Sequence, residues 1–206
     1  MALPENEQAK DSRKRILKTE AAALALLLLL RRKTIKGRAT AEAIAALEAQ
    51  LYPTLAGIRQ AARGEAFAHA TKYFGDRLEQ SGIPGKLIDL NRSKLYAGNT
   101  GKLGLDTLGK GGPVIKRIDQ RLIQLAVTEN SNAYNLEHRN AVIDLADHAG
   151  LVEVWDAELD KRTCETCAGL DGSEAIDGEF EGGLVPGNVH TNCRCTSHFV
   201  HRSILH

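Results

Sequence analysis

The sequence predicts a mainly α-helical protein with a small, metal-stabilised α+β module at its C-terminal end. Three observations support this fold class. Alanine and leucine supply most of the 43% hydrophobic residues, and both are strong helix formers. Aromatic residues make up only 4%, which argues against an aromatic-rich β-sandwich. All four cysteines lie in the last quarter of the 206 residues, a length that suits one domain plus a small satellite.

The first predicted helix, residues 8–33, contains an uninterrupted apolar block over residues 21–30. This block is about half as long as a bilayer-spanning helix. Arg31, Arg32 and Lys33 follow it, at the place where a signal peptide would have a small-residue cleavage site. We therefore interpret the block as a helix that is buried on all sides within an assembly, and we expect no membrane association. A membrane-surface anchor is the alternative.

A second helical pattern follows, and its apolar residues recur every three or four positions, so that they share one face. This stripe consists of Ile44, Leu47, Leu51, Leu55, Ile58, Ala62, Ala66, Ala70 and Phe74. Pro53 falls inside the pattern, so we expect a kink or a break near Tyr52. The two patterns together define a region of N-terminal helices, residues 1–74, which suits an elongated protein bound to other subunits.

Residues 75–113 are rich in glycine and also contain Pro84 and Pro113. Glycine at this density prevents a continuous helix and predicts an irregular arm or loop. An irregular segment of this length is unusual in a compact monomer, so we expect a neighbouring subunit to order it. Disorder is the competing interpretation.

A long helix is predicted over residues 114–150, with Gly150 at its end. The polar stretch 128–132 crosses the middle of this helix, so one face there is expected to be exposed or to contact a polar partner. After Gly150 the period of the pattern changes, and residues 151–155 predict a short strand. The remaining sequence is rich in turns, and residues 151–206 are therefore expected to form a small Cys/His module.

The net charge of +1 conceals an asymmetry along the chain. The first 40 residues contain ten basic and four acidic side chains, which suggests an acidic partner for this arm. A group of five basic residues could contact DNA phosphates without sequence preference, or could contact acidic protein surfaces. These residues are Arg31, Arg32, Lys33, Lys36 and Arg38. A solvated helix with basic ends is the alternative.

The most specific chemical signal is a Cys-x-x-Cys pair followed by His-x-x-Cys-x-Cys. Such spacing lets thiolates and an imidazole converge on one zinc ion. Zinc needs four ligands, and the candidates are Cys164, Cys167, His190 and Cys193, with Cys195 as the reserve. A closed site leaves no position for substrate, so the pattern favours a structural zinc in a module with little core of its own. Metal-free thiols, a disulfide-bridged site and a catalytic metal are the alternatives.

No enzyme motif accompanies the cysteines. The sequence lacks His-Glu-x-x-His, Gly-x-Ser-x-Gly, and a His-x-Glu ahead of a cysteine pair, so we expect no enzymatic activity. Two other function classes stay open: a zinc-dependent nucleic-acid-binding module, and a thiol oxidoreductase that uses Cys164 and Cys167. The many acidic residues over 151–187 argue against the first. The turns predicted after the cysteine pair argue against the second.

Two arginines flank the candidate metal site. Arg162 precedes the first cysteine pair, and Arg194 separates the two cysteines of the second pair. We expect them to pair with thiolates or with nearby carboxylates such as those of Asp156 and Asp160.

Residues 121–195 carry a set of polar, glycine, aromatic and cysteine residues at characteristic spacings. The set consists of Thr128, Glu129, Asn135, Trp155, Asp160, Arg162, Thr163, Cys164, Cys167, Leu170, Gly172, Pro186, His190, Asn192, Cys193, Arg194 and Cys195. In these residues the chain resembles the C-terminal region of bacteriophage head morphogenesis proteins typified by protein F of phage Mu, also called minor head or minor capsid proteins. The resemblance covers roughly a third of the chain.

The resemblance implies a structural component of the virion that is recruited during procapsid assembly. Such a protein lies near the portal and its DNA channel, so the implied partners are the portal protein, the major capsid protein or both. The implied locations are the host cytoplasm during assembly and the capsid interior or portal vicinity afterwards. Some members of the family are thought to influence genome packaging or delivery.

Overall fold

The structure is a computed structural model that describes residues 5–80, 114–176 and 178–204. Three long helices come first in the described chain: α1 (Glu5–Thr34), α2 (Ala41–Gln80) and α3 (Val114–Ala149). The C-terminal elements are β1 (Leu151–Asp156), the short helix α4 (Glu165–Leu170) and β2 (Thr196–His201). The described residues are thus mainly helical and include a two-stranded antiparallel sheet, which confirms the coarse fold class.

The three long helices pack side by side, and α1 runs antiparallel to the other two. Arg31 near the end of α1 forms a two-pronged ion pair with Asp119 near the start of α3, at 2.6 and 2.7 Å. At the other end of α1, Arg15 pairs with Glu65 in the second half of α2 at 2.9 Å. Arg31, one of the five basic residues predicted to contact DNA or acidic surfaces, is thus engaged within the chain, and the contact of the group with a partner stays a prediction.

The apolar stripe predicted on α2 is buried along its whole length, as expected. Its first half packs with Leu27 of α1 and Leu122 of α3, both fully buried, in the largest apolar cluster. Of the kink or break expected near Tyr52, the break is wrong, since α2 continues through Pro53, and the kink stays a prediction. Residues on both sides of Pro53 belong to the same buried stripe, and this packing outweighs the hydrogen bond that proline cannot donate.

The apolar block of α1 buries one face and not the whole circumference. Ala23 and Leu27 lie in the core, whereas Leu26 and Leu29 are 47% and 48% exposed. Burial on all sides is therefore wrong for the described chain by itself, and coverage of the outer face by another molecule stays a prediction. No helix within the described ranges combines the length and the apolar character that a membrane crossing requires.

Two of the predicted boundaries can be compared with the structure. Of the glycine-rich arm predicted over 75–113, residues 75–80 instead belong to α2, and residues 81–113 lie outside the described residues. The helix predicted over 114–150 is confirmed as α3. Gly150 follows it with a φ of 64°, the left-handed conformation in which glycine commonly ends a helix.

The polar stretch 128–132 of α3 is largely buried and finds its polar partners within the chain. The Glu129 carboxylate accepts a hydrogen bond from Arg59 of α2 at 2.6 Å. The Asn130 amide donates to the backbone carbonyl of Ile16 in α1 at 3.0 Å. These buried contacts align the middle of α3 with both of its neighbours.

The two strands pair antiparallel, with Leu151 opposite His201 and Asp156 opposite Thr196. β1 confirms the strand expected over 151–155, whereas the sequence analysis predicted no element at β2. Phe199 of β2 packs into an apolar cluster with residues of α2 and α3. The sheet is therefore attached directly to the helical bundle.

Two buried histidines lie between the helices. The rings of His69 on α2 and His138 on α3 have their centroids 4.6 Å apart, and Tyr134 and Phe199 pack around them. Burial lowers the pKa of His69 to about 4 and lowers the pKa of His138 well below its usual value. Both imidazoles are therefore neutral in the folded protein at pH 7.

We expect acidification to destabilise the protein through these histidines. The unfolded chain binds protons as the pH falls below about 6.5, whereas folded His69 does so only near pH 4, so stability decreases between these values. At pH 5, His69 alone should lower the free energy of unfolding by roughly 2 kcal/mol. Urea unfolding at pH 7, 6 and 5 measures this slope. His138→Phe should make the free energy of unfolding depend less steeply on pH. His201→Phe, at the exposed strand end, is the control. Equal slopes in both variants would contradict the explanation.

Candidate metal centre

All five predicted ligands lie in one cluster between α4 and β2. The ligand atoms of Cys164, Cys167 and His190 lie within 4.8 Å of one another. Those of Cys167, Cys193 and Cys195 form a second group with the same limit. Cys167 belongs to both groups, and all four cysteines are free thiols. The cluster could therefore hold a metal ion.

The separations within the cluster fit tetrahedral coordination. The Cys167 Sγ lies 3.8 Å from the Cys193 Sγ and 3.4 Å from the Nε2 of His190. In a tetrahedral zinc site with bonds of about 2.3 Å to sulfur and about 2.0 Å to nitrogen, two sulfurs are about 3.8 Å apart and a sulfur and a nitrogen about 3.5 Å. These two separations suit one ion, but neither group contains both His190 and Cys193, so the two groups would have to move together to place four ligands around it.

The start of α4 fixes the first cysteine pair. Cys164 is the N-cap residue, in an extended conformation, and its Sγ accepts a hydrogen bond from the backbone N–H of Cys167 at 3.3 Å. Cys167 therefore sits in the first helical turn with its sulfur directed to the same point. Leu170, buried one turn later, packs in the apolar cluster that contains Cys167.

A tight turn fixes the second part of the site. The backbone N–H of Cys193 donates to the carbonyl of His190 at 3.1 Å, and Asn192 between them has a φ of 64°, which asparagine tolerates better than most residues. The Nδ1 of His190 lies 2.8 Å from the carbonyl oxygen of Thr191, which can only accept. Nδ1 must therefore carry the proton, and Nε2 presents its lone pair to the cysteines.

Helix α3 holds this turn from behind. The Thr128 hydroxyl accepts the backbone N–H of Asn192 at 3.0 Å, and the Asn135 amide donates to the carbonyl of Cys195 at 2.9 Å. Both α3 side chains are buried. The sequence alone left the partner of this polar stretch open. The signal that could have revealed a partner segment is the spacing of Thr128, Ser131 and Asn135, which places three small polar side chains on one helix face.

The two flanking arginines pair with carboxylates rather than with thiolates. Arg194 binds Glu158 at 2.8 Å and Asp160 at 2.6 Å, which ties the cysteine segment to the turn ahead of α4. The more exposed Arg162 also faces Asp160, and its backbone N–H donates to that carboxylate at 2.8 Å. The hydrogen bond from Arg194 is the main reason that the pKa of Asp160 lies well below its usual range. Asp156, the other expected partner, is instead bound by α1.

The thiols share their protons unequally. The hydrogen bond from the Cys195 thiol lowers the pKa of Cys193 to about 5, and the same bond raises the pKa of Cys195. Burial raises the pKa of Cys167 to about 12. A cation bound here must therefore displace protons from the more basic sulfurs, so metal affinity is expected to rise with pH.

The cysteine sulfurs also form part of the module's small apolar core. Trp155 is 1% exposed and meets Phe180 edge-on, with ring centroids 4.9 Å apart. Cys167, Cys193 and Cys195 belong to the same buried cluster. A core with so few large apolar side chains is the kind that a bound metal ion usually reinforces.

No protein-family model matches this chain, and neither the curated proteins nor the solved structures contain a significant match to it. The proposals that follow therefore depend on the motif, on the site geometry and on the charges of the described residues.

A close contact with α3 makes Gly187 a sensitive position. Its φ is 80°, and an added Cβ would lie 2.6 Å from the Asn135 Nδ2 and 3.1 Å from the Ser131 carbonyl oxygen. Gly187→Ala should therefore destabilise the module by about 2 kcal/mol or more. Denaturant unfolding followed by fluorescence of Trp155, the only tryptophan, measures the change.

The matched control for this substitution is Gly183→Ala. Gly183 has a similar φ of 67°, but no atom lies within 4 Å of the position that its Cβ would occupy. Gly183→Ala therefore introduces the same kind of backbone strain as Gly187→Ala but no steric contact with α3. A loss no larger for Gly187→Ala than for Gly183→Ala would show that the contact with α3 is unimportant.

Proposed function

We propose that this protein is a structural, non-enzymatic minor head protein of a tailed bacteriophage. In this proposal it binds the portal protein, the major capsid protein or both, and acts in head morphogenesis and in genome packaging or delivery. One observation carries the proposal. The residues on which the resemblance depends, although spread over 121–195, meet at one place: Thr128 and Asn135 bind the segment that carries Asn192 and Cys195.

We further propose that the module holds a structural zinc ion. In this proposal Cys164, Cys167, His190 and Cys193 are the ligands, and Cys195 stays the reserve. The ion would cross-link the start of α4 to the segment before β2 and would stabilise a module with a small core. The all-sulfur-and-nitrogen donor set and its tetrahedral separations support zinc over harder cations.

Two observations keep the oxidoreductase alternative open: Cys164 is only partly buried and has a lowered pKa, and helix α4, not the predicted turns, begins within the first cysteine pair. Burial does argue against thiol chemistry at Cys193. Cys193, the thiol with the most strongly lowered pKa, is fully buried, so a substrate disulfide cannot reach its sulfur. A depression reaches the cluster from outside, and its charged lining residues are Glu158, Arg162 and Arg194.

Elemental analysis tests the metal proposal. The full chain, purified without chelator and dialysed, should retain one zinc per molecule. Release of zinc by chelator should shift the fluorescence of Trp155, which belongs to the same apolar cluster as the ligands. A metal-free protein with a readily reducible disulfide would instead support the oxidoreductase alternative.

Mass spectrometry of purified particles tests the virion proposal. Tailed-phage particles from cells that produce this chain should contain it, and heads assembled without portal protein should contain much less. Particles that lack the chain altogether would overturn the proposal. This result would be independent of the zinc measurement.

A further inference from the structure

The outward half of α1 is a long surface that the described chain leaves uncovered. We call it the outer face of α1, and it consists of Lys14, Leu17, Ala21, Ala22, Ala25, Leu26, Leu29, Arg32 and Lys33. Three of its leucines are about half exposed: Leu17 at 54%, Leu26 at 47% and Leu29 at 48%. Half-exposed leucines concentrated on one helix indicate a contact surface rather than the scattered apolar residues of an ordinary protein exterior.

The charged residues on this face are basic and lie at its two ends, and the exposed Glu7 precedes them near the start of α1. Every exposed charged residue from Lys10 to Arg38 is basic. Among the residues that the structure describes, no carboxylate forms an ion pair with Lys14, Arg32 or Lys33. Lys14 and Arg32 are separated by about 27 Å along the helix, with the apolar surface between them. The face thus has a neutral, apolar centre and two positively charged ends.

This distribution selects among the possible occupants. A second copy of the same face would bring basic ends against basic ends in either orientation, which is repulsive. DNA would satisfy the charges but leave the leucines in water. Helices that lie on membranes usually have aromatic anchors, and α1 has no aromatic residue. A protein helix with an apolar stripe and acidic residues at both ends matches the centre and the ends together.

We propose that the outer face of α1 is a docking site for an amphipathic helix of another protein whose apolar stripe ends in acidic residues on both sides. The inference rests on the proposed function only in that it needs a protein partner within an assembly. It names the chemistry of that partner: leucine-sized side chains opposite Leu26 and Leu29, and carboxylates opposite Arg32, Lys33 and Lys14.

A binding titration of the full-length protein tests the proposal. The probe is a fluorescent synthetic helical peptide of about 25 residues, with leucines and alanines on one face and glutamates in its first and last turns. A second peptide carries lysines in place of the glutamates. Duplex DNA and phosphatidylglycerol vesicles are titrated alongside. The acidic peptide should bind saturably, more weakly at high salt, and at least tenfold more tightly than the lysine peptide.

Matched variants locate the binding. Leu26→Glu with Leu29→Glu should weaken binding of the acidic peptide at least tenfold, whereas Leu159→Glu and Ile176→Glu, at exposed apolar positions outside α1, should leave it unchanged. Arg32→Glu with Lys33→Glu should weaken the acidic peptide and strengthen the lysine peptide. If circular dichroism shows that the double leucine variant does not fold, the charge-exchange variant tests the docking site without it.

Three outcomes would overturn the inference. The first is no binding of the acidic peptide to the wild-type protein, and the second is binding that the leucine and charge variants do not alter. The third is tight binding of DNA or vesicles through Arg32 and Lys33 without dependence on the leucines. None of these outcomes bears on whether the chain is found in virions, so failure here is distinguishable from failure of the proposed function.

Discussion

Replacing Cys167 by serine should abolish tight zinc binding and unfold the C-terminal module while the helical bundle stays folded. Cys167 belongs to both groups of candidate ligands, so every choice of four that uses either group loses one. Structural zinc supplies on the order of 10 kcal/mol of apparent binding free energy in small domains, which is far more than this module's own core can replace. The main core between the long helices contains none of the cysteines and should persist.

Three measurements check this expectation. Elemental analysis should fall from one zinc per chain to a small fraction, Trp155 fluorescence should shift to that of an exposed indole, and the helical circular dichroism should be largely retained. Cys195→Ser is the matched control, since Cys195 is the reserve ligand, and it should retain zinc. A Cys167→Ser protein that still carries one tightly bound zinc would contradict the ligand set.

Arg139→Met should lower the free energy of unfolding by about 3–5 kcal/mol, because it leaves a buried carboxylate without its cation. Glu153 of β1 is 4% exposed, and its two oxygens accept hydrogen bonds from Arg139 at 2.8 Å and from the Ser197 hydroxyl at 2.6 Å. Arg139 also donates to the backbone carbonyl of Gly178. The Arg139 guanidinium thus joins α3, β1 and the loop that follows α4.

Urea unfolding measures this loss, and Lys72→Met is the control. Lys72 pairs with Asp11 at 2.8 Å but is 54% exposed, so its removal should change stability by less than about 1 kcal/mol. The double variant Arg139→Met with Glu153→Gln should recover part of the loss, since the buried charge is gone. An Arg139→Met protein as stable as Lys72→Met would show that the Glu153 carboxylate tolerates burial without a cation.

Elements with a local periodic signal could be predicted from the sequence. The stripe from Ile44 to Phe74 repeats every three or four residues, and all of it is buried. Gly150 and the alternation after it correctly placed the end of α3 and the first strand. The cysteine spacings also identified the candidate site, because the first pair begins the short helix α4 and the second motif forms a tight turn, and neither needs distant information.

Features that depend on distant partners could not be predicted. β2 has only two apolar residues, Phe199 and Val200, between polar ones, so it lacks the apolar run that reveals a strand. The continuity of α2 through Pro53 depends on packing against other helices. Arg31 was a candidate for DNA contact because its partner Asp119 is 88 residues away, and only the fold shows that the two meet. Local pattern fixes which residues can form an element, and tertiary packing decides which side chains remain available.

The contacts between the module and the bundle also determine how the molecule would bear a mechanical load. Thr128 and Asn135 hold the module at the middle of α3, and Arg13 of α1 binds Asp156 of β1 at 2.5 Å. A pull on the module is therefore spread across two helices at points far from their ends. Separation would have to shear several hydrogen bonds at once instead of peeling one strand end away.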